Sequence, residues 1–223
     1  MRVIAGSSKG RPLRANLPSG VRPTSDRVKE SMFDILGSMG GVSGITVFDL
    51  FCGSGALGIE AMSRGAREVT FIDNDPKAIE ATKENISSVG LDANLSRLIR
   101  GTLPGCVNDN LSVDLVLCDP PYAFRDWSGL LGSIRADVVI LESRDEVLVP
   151  NGWVVVKSRR YGGTLVTVVQ PDISAPARTP ARKPARKPAR TPLSSYDRQC
   201  SKLNRSSIST DERPVPWKSK EVG

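Results

Sequence analysis

The chain has 223 residues, 31 Lys+Arg against 24 Asp+Glu for a net charge of +7, four cysteines and no histidine. The missing histidine excludes a His general base, a His metal ligand and a Ser-His-Asp triad. No apolar run reaches the length of a membrane span, residues 1–6 have no apolar signal-peptide core, and Cys52, Cys106, Cys118 and Cys200 form no CxxC pair, so a reducing cytoplasm is expected, with no zinc site and no disulfide framework.

Residues 1–23 contain two short β-like pieces, 3–5 and 12–15, around Gly6-Ser7-Ser8-Lys9-Gly10. They read as a small basic hairpin. Thr24 or Ser25 then caps a helix in which Val28, Met32, Ile35 and Leu36 recur at helical spacing, with Gly37 or Gly40-Gly41 ending it. From Ile45 the pattern becomes βαβα. Residues 45–50 form an apolar strand bounded by glycines, 56–63 a helix and 68–72 a second strand. Asp75-Pro76 opens the next helix, with Asp as N-cap and Pro at the first position, and Gly90 stops it. Further strands are expected over 94–99, 113–118, 138–141, 153–156 and 165–169. The last two flank Gly162-Gly163 and read as a hairpin, which makes the final strand antiparallel. Alternating strands and helices predict a Rossmann-like α/β fold, a mostly parallel sheet with helices on both faces.

Beyond Gln170 the pattern stops and Pro-Ala-Arg-(Thr/Lys) repeats from Pro176 to Pro192. Such a segment lacks the apolar surface to offset its ordering entropy, so a disordered tail is expected over 171–223. Charge divides along the same lines. Residues 171–223 carry 12 basic and 5 acidic side chains, residues 1–29 carry 7 and 1, and residues 30–170 are net −6. An acidic body between two basic ends suggests a polyanionic partner met through the ends.

Two stretches carry chemistry. The first strand runs into Asp49-Leu50-Phe51-Cys52-Gly53-Ser54-Gly55-Ala56-Leu57-Gly58, where Gly53, Gly55 and Gly58 match G-x-G-x-x-G between a strand and a helix. Alone this suits a dinucleotide equally well, or a tight turn with no ligand. Asp73 ends the next strand, where a carboxylate accepts from two ribose hydroxyls. Asp49 separates the candidates: just before the glycine loop it would repel a pyrophosphate and attract the ammonium group of an amino acid. A nucleoside with both a ribose and an amino-acid tail is S-adenosylmethionine, which is preferred to NAD.

The second stretch is Asp119-Pro120-Pro121-Tyr122 after the apolar strand 113–118. The Asp119 carboxylate and the Pro120 carbonyl can each accept one N–H of an exocyclic base amine, turning its lone pair out of the ring plane towards the methyl donor. Tyr122 can stack on the base, worth roughly 1–3 kcal/mol, and the Pro pair fixes the backbone. Methyl transfer then depends mostly on alignment, which can supply about 7–11 kcal/mol. No strong base is needed, since the methylated cation is itself acidic.

Asp49 to Gly58, Asp73 and Asp119 to Tyr122 resemble the class I S-adenosylmethionine-dependent amino-methyltransferases. Arg2-Val3-Ile4-Ala5-Gly6, Lys9-Gly10-Arg11 and Val21-Arg22-Pro23-Thr24-Ser25-Asp26-Arg27-Val28-Lys29-Glu30 resemble the RsmD family, over about residues 1–170. The resemblance implies a seven-stranded methyltransferase fold over 30–170, a monomer without metal, and transfer to guanine N2 of bacterial 16S ribosomal RNA within a 30S subunit or its assembly intermediate. It implies an RNA-facing segment over 1–29, with Lys9, Arg11, Arg22, Thr24, Arg27 and also Pro121 on the RNA. Asp49, Phe51, Gly53, Gly55, Asp73 and Asn74 would hold the cofactor. Where relatives have an acidic residue or Asn near the adenine, this chain has Arg100-Gly101-Thr102, and the Gly101-Thr102 backbone is the substitute. Adenine N6 in DNA or RNA is the alternative acceptor, since Asp-Pro-Pro-Tyr suits that amine too. A separate target-recognition domain is not visible.

Overall fold

The computed structural model describes residues 1–14, 26–107 and 112–174. Arg22, the expected helix cap at Thr24 or Ser25, and the tail beyond 174 lie outside the described residues. Five strands form the parallel part of the sheet: β1 (Thr46–Leu50), β2 (Glu68–Asp73), β3 (Ser96–Arg100), β4 (Ser112–Cys118) and β5 (Arg135–Ser143). The hairpin of β6 (Trp153–Tyr161) and β7 (Thr164–Pro171) completes it, in the order β3-β2-β1-β4-β5-β7-β6. As expected, β7 is antiparallel; it lies between β5 and β6 and pairs with both. Strand β4 is buried from Val113 to Cys118, as a strand covered on both faces must be.

Among the described residues four α-helices cover the sheet: α1 (Asp26–Met39), α2 (Ala56–Ser63), α3 (Pro76–Ser88) and α4 (Trp127–Ser133). One apolar layer joins Met32 and Leu36 of α1 to Leu57, Ile86, Val69 and Leu115. The other joins Leu50, Ile72 and Val116 to Leu130, Leu131 and Trp153. The Asp75 side chain accepts from Lys77 N at 2.9 Å and Pro76 opens α3, the expected cap. Several bounds differ from the sequence reading, β5 among them, which extends from the expected 138–141 to Arg135–Ser143, and three differences are instructive. Residues 93–95 form a 3-10 turn rather than the start of β3, because Asp92 accepts from Asn94 N and pulls the chain into a cap. Helix α4 was not expected; Asp126 caps it through Gly129 N at 2.9 Å while Leu130 and Leu131 enter the core. Strand β6 runs five residues further, to Tyr161, through exposed Arg159 and Arg160, because an edge strand needs only backbone pairing with β7.

The N-terminal hairpin forms, with an antiparallel bridge between Arg2 and Pro12. It is not a free arm: Val3 and Leu13 join the core. Glu60 of α2, fully buried, accepts from Ile4 N at 2.8 Å and Ala5 N at 2.9 Å and pairs with Lys29 Nζ at 3.2 Å and Arg64 Nε at 2.8 Å. Lys29 therefore corrects the picture of a segment facing RNA throughout. Its ammonium is fully buried under the hairpin, and burial, opposed by Glu60, lowers its pKa.

Candidate active site

The order of the sheet reverses between β1 and β4: from β1 the chain crosses outward to β2 and β3 on one side, and then to β4 and β5 on the other. Ligands of open α/β sheets bind at such a switch point, beyond the carboxyl ends of the strands. Asp49, Asp73, Asp119 and Glu142 all lie at or just past the ends of β1, β2, β4 and β5, four neighbouring strands.

The glycine loop is demanded first by backbone and packing. Gly53 and Gly55 have φ of +53° and +78°. At Gly58 a Cβ would stand 2.3 Å from Phe71 Cε1 and 3.0 Å from Asp49 Oδ2. The loop is then pinned by two carboxylates. Asp49, buried, accepts from Gly58 N at 2.8 Å, and Asp73 accepts from Gly53 N at 2.9 Å and from Asp75 N at 2.9 Å. Each Asp73 oxygen thus accepts one backbone bond and keeps a second lone pair for a ligand hydroxyl. Burial pushes the Asp49 carboxyl well above its usual range; the Gly58 N–H opposes this, and the charges of Asp119 and Asp73 add to it. Phe51 adopts φ +58° and meets Phe124 edge-to-face, with ring centroids 5.1 Å apart; Phe124 meets Trp127 in the same way at 5.0 Å. This aromatic chain couples the glycine loop to the segment following Asp-Pro-Pro-Tyr.

That motif lies where the sequence reading expects it. Asp119 is half-buried, Pro120 buried, Pro121 exposed, and Tyr122 is 48% exposed. Phe124 N donates to Pro121 O at 2.8 Å and the Arg125 guanidinium donates to the Tyr122 carbonyl, so the rim is held from behind. In front lies a cavity of about 340 Å³ whose wall includes Pro120, Pro121, Tyr122, Trp127 and Glu142. Phe124, Trp127 and Glu142 were not anticipated. Glu142 left one signal, a carboxylate closing the apolar run 138–141.

The remaining expectations divide. Asn74 is exposed beside Asp73. The Gly101 N–H donates to Asp73 O at 2.8 Å, so it is not free for an adenine, and exposed Thr102 is what remains of that expectation. Lys9, Arg11 and Arg27 are exposed, and Lys9 and Arg11 belong to the hairpin rather than the rim. The hairpin turn bonds Ser63 and Val89, at the C-terminal ends of α2 and α3, whereas the glycine loop is at the start of α2. A 13-residue α3 is about 20 Å long, so RNA touching both Lys9 and Tyr122 spans the molecule. From there the chain returns toward the loop: Arg14 is tied to Asn85, which also donates to Ser54 O at 2.9 Å.

The donor set tests which ligand fits. Three carboxylates, Asp49, Asp73 and Asp119, are close enough for the latter two to perturb the first. A pyrophosphate would face this charge, whereas an ammonium and a sulfonium are drawn to it. S-adenosylmethionine fits, and Asp49, Asp73 and Phe51 are the residues that would hold it.

Comparison with known proteins agrees. The family model described as Conserved hypothetical protein 95 matches residues 1–170. YlbH of Bacillus subtilis, provisionally named an rRNA methyltransferase, is 35% identical over 182 residues, covering 75% of this chain and 97% of that protein. Ribosomal RNA small subunit methyltransferase D of Escherichia coli strain K12 is 31% identical over 154 residues, covering 69% of each chain. The solved structure of yhhF from Escherichia coli, provisionally described as a methyltransferase, superposes with a TM-score of 0.66 at 27% identity, covering 77% of this chain and 98% of that one. The chain belongs to the Conserved hypothetical protein 95 family, the RsmD family its motifs resemble, and is an S-adenosylmethionine-dependent methyltransferase.

Proposed function

We propose that the chain transfers a methyl group from S-adenosylmethionine to the exocyclic N2 amine of a guanine in bacterial 16S ribosomal RNA, presented by a 30S subunit or an assembly intermediate. The observation that carries this reading is the Asp119-Pro120-Pro121-Tyr122 rim at the end of β4, next to the glycine loop at the end of β1 and in front of a base-sized cavity. Relatives named small subunit rRNA methyltransferases support the substrate.

S-adenosylmethionine, when bound, supplies an electrophilic methyl group. Asp49 and Asp73 hold the ends of the donor site. The Asp119 carboxylate and Pro120 carbonyl accept the two amine N–H groups and direct the lone pair towards the donor. Tyr122, half-exposed before any base is present, is the stacking face. The proton displaced from N2 passes to Asp119 or solvent, and no dedicated base is required. Exposed Lys9, Arg11 and Arg27, together with Arg22, Thr24 and the basic 171–223 segment, make sequence-independent contacts that position the RNA. The protein works as a monomer, without metal, in the bacterial cytoplasm; no described helix is long and apolar enough to cross a membrane.

The test is tritiated methyl transfer to 30S particles from a strain lacking its own enzyme, followed by mass-spectrometric identification of the nucleoside. N2-methylguanosine is the expected product. N6-methyladenosine would establish the adenine alternative, and no transfer despite cofactor binding would sink both.

A further inference from the structure

Glu142 is the buried acid that this reaction scheme leaves unused. It lies near the end of β5, beside β4; the register pairs Cys118 with Leu141, so Asp119 and Glu142 follow side by side. Adjacent strands lie about 4.8 Å apart. Glu142 is 4% exposed, yet it lines the cavity together with Pro120, Pro121 and Tyr122. The Thr164 side chain is near enough to its carboxyl to oppose the upward pKa shift, but Oε2 is buried with no hydrogen-bond partner. A buried polar atom left without a partner costs stability, and apolar residues would fill the place at lower cost. A carboxyl with one unpartnered oxygen, on a residue that lines a base-sized cavity beside the group proposed to take the reacting amine, has the chemistry of a ligand contact that a small side-chain rotation completes.

We infer that Glu142 is a second base-recognition residue, whose Oε2 accepts the ring N1–H that flanks the exocyclic amine of guanine. The inference rests on the guanine-N2 reading above. Asp119 and Pro120 take both hydrogens of the amine, so in a closed pocket the neighbouring N1–H would otherwise lose its water without replacement. Glu142 comes from the adjacent strand, and the register sets it beside Asp119. Burial, with the Asp119 charge adding to it, raises the Glu142 pKa to about 8, so the side chain enters the complex uncharged and does not compete with Asp119 as a second anion. An amide therefore imitates it, keeping a carbonyl oxygen at nearly the same place.

The test compares wild type, Glu142→Gln and Glu142→Leu on unmethylated 30S particles, measuring kcat and KM for the particles, cofactor affinity by calorimetry, and Tm. Loss of one hydrogen bond that leaves a buried N–H unpaired corresponds to roughly a tenfold to hundredfold drop in kcat/KM for Glu142→Leu. Cofactor affinity should stay within twofold, Tm should be unchanged or higher, and Glu142→Gln should recover most of the activity. Unchanged kcat/KM in Glu142→Leu would overturn the inference. So would activity falling only in step with Tm or cofactor affinity, and so would a Gln variant as weak as the Leu variant. If the wild type makes a nucleoside other than N2-methylguanosine, the guanine reading and this inference both fall; a silent Glu142→Leu in an enzyme that does make it removes this inference alone.

Discussion

Gly58→Ala isolates what the third glycine of the loop does. Two opposing effects must be weighed. Alanine is the better helix former by about 1 kcal/mol, and Gly58 lies inside α2, so propensity alone predicts a gain. Packing opposes it: the new Cβ would stand 2.3 Å from Cε1 and 2.8 Å from Cζ of Phe71, where carbons normally stay about 3.5–4.0 Å apart. Phe71 is fully buried in β2 and cannot swing into solvent. Overpacking of this kind costs about 1–3 kcal/mol. The same Cβ lies 3.0 Å from Asp49 Oδ2, the atom that accepts from Gly58 N. Disturbing that bond inside the core leaves a buried group unpaired and costs roughly a further 1–3 kcal/mol. The net is a loss of about 3 kcal/mol, or roughly 6–12 °C in Tm for a domain of this size. Thermal unfolding followed by circular dichroism measures it, with cofactor affinity by calorimetry alongside. Both should fall on the proposed reading, in which Asp49 serves the donor site as well as the core. A Tm equal to or above that of wild type would refute the packing argument and leave propensity as the larger effect.

Tyr122→Ala should cut methyl transfer at least tenfold with Tm and cofactor affinity nearly unchanged, since the ring is 48% exposed; lost cofactor binding would mean that the ring is structural. Lys29→Met leaves Glu60 buried with one cation fewer and should lower stability by about 3 kcal/mol in a denaturant titration; a change below 1 kcal/mol would show that Ile4 N, Ala5 N and Arg64 suffice to hold that carboxylate. Glu142 has a folded pKa of about 8 against an ordinary 4.5, so between these values the folded chain keeps a proton that the unfolded chain releases, and its contribution to stability is lost as pH rises towards 8, by on the order of 1 kcal/mol per pH unit. Wild type should therefore lose Tm relative to Glu142→Leu from pH 5 to 8, and parallel curves would contradict that shift. Deleting residues 175–223 should weaken RNA binding and flatten its salt dependence in anisotropy titrations; an unchanged salt slope would leave that basic segment without an RNA role.

The parts legible in sequence were those where one physical demand dominates. Strands β1, β2 and β4 read as short, mostly apolar runs because helices cover both faces of the sheet. Asp75-Pro76 is a cap by local chemistry alone, and the glycines of the loop answer to backbone conformation and contact. The parts that were not legible depend on distant partners. Helix α4 contains two glycines and two serines in seven residues; it exists because Leu130 and Leu131 find a core that local propensity cannot see. Lys29 counts as one more positive charge in the sequence, and only the fold turns it inward onto Glu60. Glu142 and Glu146 are both carboxylates near the end of a strand, but register with β4 buries the first and leaves the second in water.

The same register explains why the site has the charge it has. Four adjacent strands deliver one acid each to the crevice, and their solvation sorts them. Asp73 and Asp119 are half-buried, while Asp49 and Glu142 are buried and pushed upward in pKa. A crevice of this kind attracts a donor bearing a positive sulfonium and holds the neutral thioether left after transfer less tightly. With the donor placed as proposed above, its binding and the release of the spent product would be biased by the same carboxylates. A histidine base would add a titrating positive charge to that row without improving the alignment on which methyl transfer depends, and that gives the chain's lack of histidine a physical reading as well as a compositional one.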